Sequence, residues 1–267
     1  MGGHWVQIAL HLADRRQAAW IAFFVAVLGA WAALFLMQPD LDLPAGWQAL
    51  GLDYLASLCR PAADTSLAGL IAMWGLMSLA MMAPTVAPAL KTYLDLTHTQ
   101  GATIAGFSAL LAGYLLVWIG FSVPAALLQA ALDTQGWLDP FGRSSEVYLT
   151  AGLLALAGAY QFSRLKEACL NQCQSPLLFF IGKWQDGLSG AFRMGLHLGA
   201  ICLGCCWALM LLAFVAGTMN LAFMGLAMLL MTFEKLPQLG RYLTVPVGFA
   251  LLGSAAAILI IELIKHL

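Results

Sequence analysis

Seven stretches of this chain are apolar for long enough to cross a bilayer, near residues 18–37, 67–88, 104–131, 147–165, 199–217, 219–236 and 243–263. A hydrocarbon core of about 30 Å needs roughly 20 helical residues. In lipid each helix satisfies its own backbone hydrogen bonds, so helices are the natural reading. The expected fold is all-α, a polytopic transmembrane bundle of about seven spans forming a single integral membrane domain over residues 1–267. Composition agrees, because 62% of the residues are hydrophobic and only 9% charged. Soluble domains carry roughly 25% charged residues, so a compact water-soluble fold is excluded. A net charge of −1 gives no basic footprint for nucleic acid. The first run lacks a small-residue cleavage site after Leu36 and reads as an anchor.

The run from Gly190 to Lys235 is too long for one span, and Gly217-Thr218-Met219-Asn220 is where a tight helical hairpin is expected. Lys and Arg set the orientation. With the N-terminus in the cytoplasm, Arg15, Arg16, Lys91, Arg164, Lys166, Lys183, Arg193, Lys235 and Arg241 lie inside, against Arg60, Arg143 and Lys265 outside. This bias places the C-terminus outside. Loop 38–66, with Asp40, Asp42, Asp53 and Asp64, reads as an ordered external cap. In loop 166–198, the stretch Leu177 to Ile181 is too short to span and reads as interfacial or re-entrant. Small residues at four-residue spacing (Ala18, Ala22, Ala26 and Ala30; Gly253 and Ala257) are expected to let helix backbones approach closely.

Chemistry concentrates in sulfur. Each helical residue turns about 100°, so Cys202 and Cys206 lie within about 40° of each other, and Cys205 about 60° to the other side. The three thiols share one sector and can converge on one ion. Folding the next span back from Thr218 sets Cys202 level with Glu234 and Cys205 level with Met231. Met73, Met77 and Met81 form a thioether stripe whose Met81 end reaches the same depth. Pro84 and Pro88 free carbonyls in that helix. Cys169 and Cys173, spaced C-x3-C, put two more thiols at the cytoplasmic face, with His197 at the same boundary. Cys59 has no evident disulfide partner. Glu234-Lys235 reads most simply as an interfacial anchor, since charges at a helix end can snorkel.

Thiolate and thioether donors favour copper(I) first and zinc second, whereas hard cations such as Mg²⁺ and Ca²⁺ want oxygen. The candidate metal ligands are Cys202, Cys205 and Cys206, with Met77, Met81, Met228 and Met231 as exchange partners and Cys169, Cys173 and His197 at the boundary. Each also has a plainer reading. Free cysteine packs as a small apolar side chain, methionine stripes fill cores, and His197 suits an interface.

The chain resembles a bacterial family of integral membrane proteins of unassigned function described as predicted metal-binding. The resemblance rests on Met73-Trp-Gly-Leu-Met77 with Ala80-Met-Met-Ala-Pro84. It rests also on Cys202-Leu-Gly-Cys-Cys-Trp-Ala-Leu-Met210, and on Gly217-Thr-Met-Asn with the following methionine-rich helix to Glu234-Lys235. It covers most of residues 67–236 and implies a polytopic membrane protein with a metal site at the matching cysteines and methionines. It implies no particular reaction.

The function these observations favour is copper handling and transport in the inner membrane, as a carrier or as a donor to a membrane cuproenzyme. The lipid bilayer and a partner membrane protein or metallochaperone are the expected contacts. No P-loop is present, which argues against primary pumping. Two alternatives stand beside this. One is thiol redox chemistry through Cys202-x-x-Cys205 or Cys205-Cys206, against which a helical vicinal disulfide would be strained. The other is an accessory subunit of a membrane complex, its cysteines serving as packing. Haem is discounted, because His98 and His197 fall at span boundaries.

Overall fold

The computed structural model describes residues 3–37, 66–96, 103–218 and 220–266. The Asp-bearing loop, Cys59 and His98 fall outside these residues. The chain forms α1 (Gly3–Leu36), α2 (Leu67–Asp95), α3 (Ile104–Thr134), α4 (Val147–Gln161), α5 (Arg164–Gln174), α6 (Pro176–Lys183), α7 (Gly187–Met210), α8 (Ala213–Ala216), α9 (Leu221–Glu234) and α10 (Gly240–Lys265). The protein is an all-α bundle, as its apolar runs require.

Side-chain caps start several helices by accepting from orphan N–H groups. Ser66 accepts from Gly69, Thr103 from Gly106, Ser163 from Lys166 and Asn220 from Phe223, at 2.9–3.2 Å. The expected break also forms: Gly217 takes φ +100°, where a side chain would be strained, and Asn220 then caps α9.

Among the described residues, five segments are long and apolar enough to cross a membrane: Arg16–Leu36, Leu67–Asp95, Ile104–Thr134, Gly187–Ala216 and Tyr242–Lys265. The other two apolar runs become shorter helices, α4 with 15 residues and α9 with 14. At about 1.5 Å per residue each reaches only about 22 Å. Burial separates centre from rim. The apolar window of α7 is 72% buried, whereas those of α10 and α1 are 11% and 22% buried. Ile21, Phe24 and Leu28 on α1, and Phe249, Ile260 and Leu263 on α10, point outward.

The main partner of α7 is α3, not α9. The hairpin was expected to pair α7 with α9, but α9 lies chiefly against α2 and α10. Glycine explains the difference. A Cβ on Gly195 would overlap the Leu110 carbonyl, and one on Gly113 the Phe192 carbonyl. On Gly199 a Cβ would come within 2.9 Å of the Tyr114 carbonyl. Backbone meets backbone along this seam.

Of the small residues expected to meet other helices, Ala30 turns inward and the rest stay exposed. On α1, Phe23, Val27, Ala30 and Leu34 turn inward, while Ala18, Ala22 and Ala26 stay exposed. On α10, Gly253 meets nothing within 4 Å, and the close approach to α4 falls at Gly158 against Gly248 and Leu252. Short helix α6 lays Phe179 and Phe180 on the core beside Tyr93 and exposes Leu177, Leu178 and Ile181.

Candidate metal centre

Helix periodicity brings the Sγ atoms of Cys202, Cys205 and Cys206 within 4.8 Å of one another, all three buried. Cys205 and Cys206 sulfurs stand 3.2 Å apart, and Cys205 donates to the Cys202 carbonyl at 3.1 Å. Thiolates bound at about 2.3 Å to a common ion stand roughly 4 Å apart. The spacing of the three sulfurs is therefore close to what a common soft ion would require.

A fourth sulfur arrives from outside α7. Helix α5 packs along α7 and places Cys173 Sγ 3.9 Å from Cys205 Sγ. Cys169, one turn earlier, faces Gly204 instead: a Cβ there would come within 2.7 Å of its sulfur. Burial pushes the Cys169 thiol above its ordinary range, and the nearby Cys202 sulfur adds to this.

Polar groups missed in the sequence converge on Cys202. Lys235 Nζ donates to Cys202 Sγ at 2.9 Å and to Thr85 Oγ1 at 2.6 Å. Tyr114 Oη lies 2.9 Å from the same sulfur and donates to the Met82 carbonyl at 3.0 Å. Thr85 Oγ1 also donates to that carbonyl, at 2.8 Å. The expected freed carbonyls find partners as well. Pro84 has no N–H to offer Ala80, and the Trp31 indole donates to the Ala80 carbonyl at 3.0 Å.

Glu234 and Lys235 are not an interfacial anchor. Both are buried, Glu234 at 1% exposure and Lys235 at 8%. Lys166, at 1% exposure itself, pairs with Glu234 at 2.8 Å. Gln174 donates to the Glu234 carbonyl at 2.7 Å, which satisfies the end of α9. Snorkelling fails here because α5 folds over this end of the bundle and supplies the counter-charge. The sequence signal was the helix-terminal Glu-Lys pair itself, which gains meaning only once α5 is placed.

A cavity of about 180 Å³ opens beside the triad, lined by Thr85, Tyr114, Cys173, Gln174, Cys202 and Lys235 with otherwise mostly apolar walls. Met77, Met81 and Met231 are buried in the surrounding core, and Met228 packs at its margin. His197 rests on the Phe179 ring, centroids 5.7 Å apart, and is not among the donors gathered within 4.8 Å. The arrangement joins three buried thiols, a fourth at a cavity wall and a buried ammonium.

A family model described as PpoB2, copper chaperone, matches residues 71–258, from the second turn of α2 into α10 and across all the thiols just described. No curated protein and no solved structure gives a significant match.

Proposed function

The chain belongs to the PpoB2 copper-chaperone family, and from that premise we propose that it holds copper(I) within the membrane and hands it to a membrane cuproenzyme. The observation that carries this reading is the gathering of Cys202, Cys205 and Cys206 within 4.8 Å beside a cavity that reaches Cys202. Soft thiolates select copper(I) over hard cations, with zinc the second choice. The copper is cargo. Thioethers of Met77, Met81, Met228 and Met231 serve as weaker exchange ligands, since a site of thiolates alone would release its ion slowly. Cys169, Cys173 and His197 belong to the cytoplasmic face in this reading, with α5 and the cavity turned to the inside of a bacterial inner membrane. The whole chain acts as one membrane domain.

Metal analysis of protein purified under reducing conditions from copper-supplemented cells tests this. Wild type is expected to hold close to one copper per chain, and the C202S/C205S/C206S variant less than a tenth of that. Equal copper in both, or none in either, overturns the assignment. A wild type that retains zinc in place of copper would overturn the metal identity alone.

A further inference from the structure

Cys169 and Cys173 form one C-x3-C pair in sequence, yet they stand in different places. Cys173 lines the cavity and lies 3.9 Å from Cys205, whereas Cys169 is seated against Gly204 of α7. Neither Cys205 nor Cys206 is among the cavity-lining residues, so an ion entering by the cavity meets only Cys173 and Cys202. Of these two, Cys202 already carries the Lys235 ammonium and the Tyr114 hydroxyl at 2.9 Å each. Cys173 is the less buried and the less engaged. The electrostatics of the cavity add a second constraint. Its apolar walls cannot replace the water of a hydrated ion, and the Lys235 ammonium repels a free cation. Copper(I) held by two thiolates carries a net charge of −1, and that charge is drawn toward an ammonium.

We propose that Cys173 is the loading thiol of this protein, receiving copper(I) from an anionic bis-thiolate complex and passing it to Cys205, with Cys169 off the path. The proposal rests on the copper reading above and names its substrate class and its order of transfer. In the first step the Cys173 sulfur forms a bond to copper as one donor thiolate leaves, and the thiol proton departs with that donor as free thiol. In the second, Cys205 displaces the other donor thiolate in the same way. In the third, Cys202, the thiolate facing the Lys235 ammonium, displaces Cys173, whose sulfur then takes up a proton from solvent through the cavity. Copper stays in the +1 state throughout, and the complex keeps its single negative charge at each step.

The test follows the rise of copper–thiolate absorption by stopped flow with the full chain in detergent. Three donors are used: copper(I) glutathione, copper(I) bound to a Cys-x-x-Cys peptide, and the cationic copper(I) cysteamine complex. Relative to wild type, Cys173→Ser is expected to load at least tenfold more slowly from glutathione and peptide, with the same final copper content. Cys169→Ser is expected to stay within twofold. Wild type is expected to load at least fivefold more slowly from cysteamine than from glutathione. Faster loading from glutathione than from the peptide assigns a small-thiol source, and the reverse order a protein source; both support the proposal. Cys173→Ser loading at the wild-type rate, Cys169→Ser slowed equally, or cysteamine loading as fast as glutathione would each overturn it. A wild type that takes up no copper removes the proposed function and the relay with it. Normal final loading with any of those kinetic results removes the relay alone.

Discussion

The Lys235 ammonium donates to the Cys202 sulfur at 2.9 Å, joining two buried side chains 33 positions apart in sequence. A buried ammonium needs a counter-charge, and among the described residues Cys202 is the acid in direct contact with this one. Thr85 takes a second proton of the ammonium at 2.6 Å. Once copper(I) is bound by two or more thiolates, the site carries net negative charge, and Lys235 stands where that charge is best offset.

Lys235→Met, which keeps the length of the stem and removes the charge, is expected to weaken copper(I) binding tenfold to a hundredfold. That range corresponds to roughly 1.5–3 kcal/mol for a lost hydrogen bond to a charged group. Competition against a chromophoric copper(I) chelator measures it, and an affinity equal to wild type would separate the ammonium from the site.

The Lys166–Glu234 pair, both side chains at 1% exposure, makes a sharper stability prediction. Removing one partner leaves an uncompensated buried charge and costs about 3–5 kcal/mol. Lys166→Met and Glu234→Gln are each expected to lower the unfolding midpoint in detergent. The double variant should be less destabilised than the sum of the two, and strict additivity in that cycle would show the pair to be uncoupled.

Glycine substitutions should divide by location. Gly195→Ala forces a Cβ onto the Leu110 carbonyl and should separate α3 from α7, lowering thermal stability and copper retention together. Gly253→Ala meets nothing within 4 Å. In a helix interior it should be neutral or stabilising by up to about 1 kcal/mol. Equal effects of the two on the unfolding midpoint would contradict the packing described here.

Thiol labelling checks the orientation and the chemistry of α5 together. A membrane-impermeant maleimide is expected to reach Cys173 and Cys169 from the cytoplasmic side. The thiolate is the reactive form, and burial holds the Cys169 thiol above its ordinary range. Its labelling should therefore be slow near neutral pH and accelerate as pH rises into the alkaline range. Labelling of either residue from the external side would invert the topology.

Much of this fold could be read along the chain. The apolar runs mark the helices, Gly217 to Asn220 mark the turn, and the spacing of Cys202, Cys205 and Cys206 puts three sulfurs in one sector because a helix repeats every 3.6 residues. Pro84 announces an orphan carbonyl. What a single run cannot carry is which helix meets which. The Gly113, Gly195 and Gly199 seam chose α3 as the partner of α7 and brought Tyr114 to the thiols, and the sequence does not say which of its glycines face each other. Glu234 and Lys235 read as surface charges for the same reason, since their partners Lys166 and Cys202 come from other helices. C-x3-C spacing could not separate Cys169 from Cys173, because the difference lies in what α7 presents to each.

The glycine seam has a mechanical consequence. Where α3 and α7 touch through their main chains, no layer of flexible side chains lies between them to compress or shear. Changes in bilayer thickness or lateral pressure should fall first on α1 and α10, whose surfaces are mostly turned outward. The spacing of Tyr114 from Cys202 should therefore change little with the state of the surrounding lipid, and any grip on an ion should hold steady as the membrane around it thins, thickens or curves.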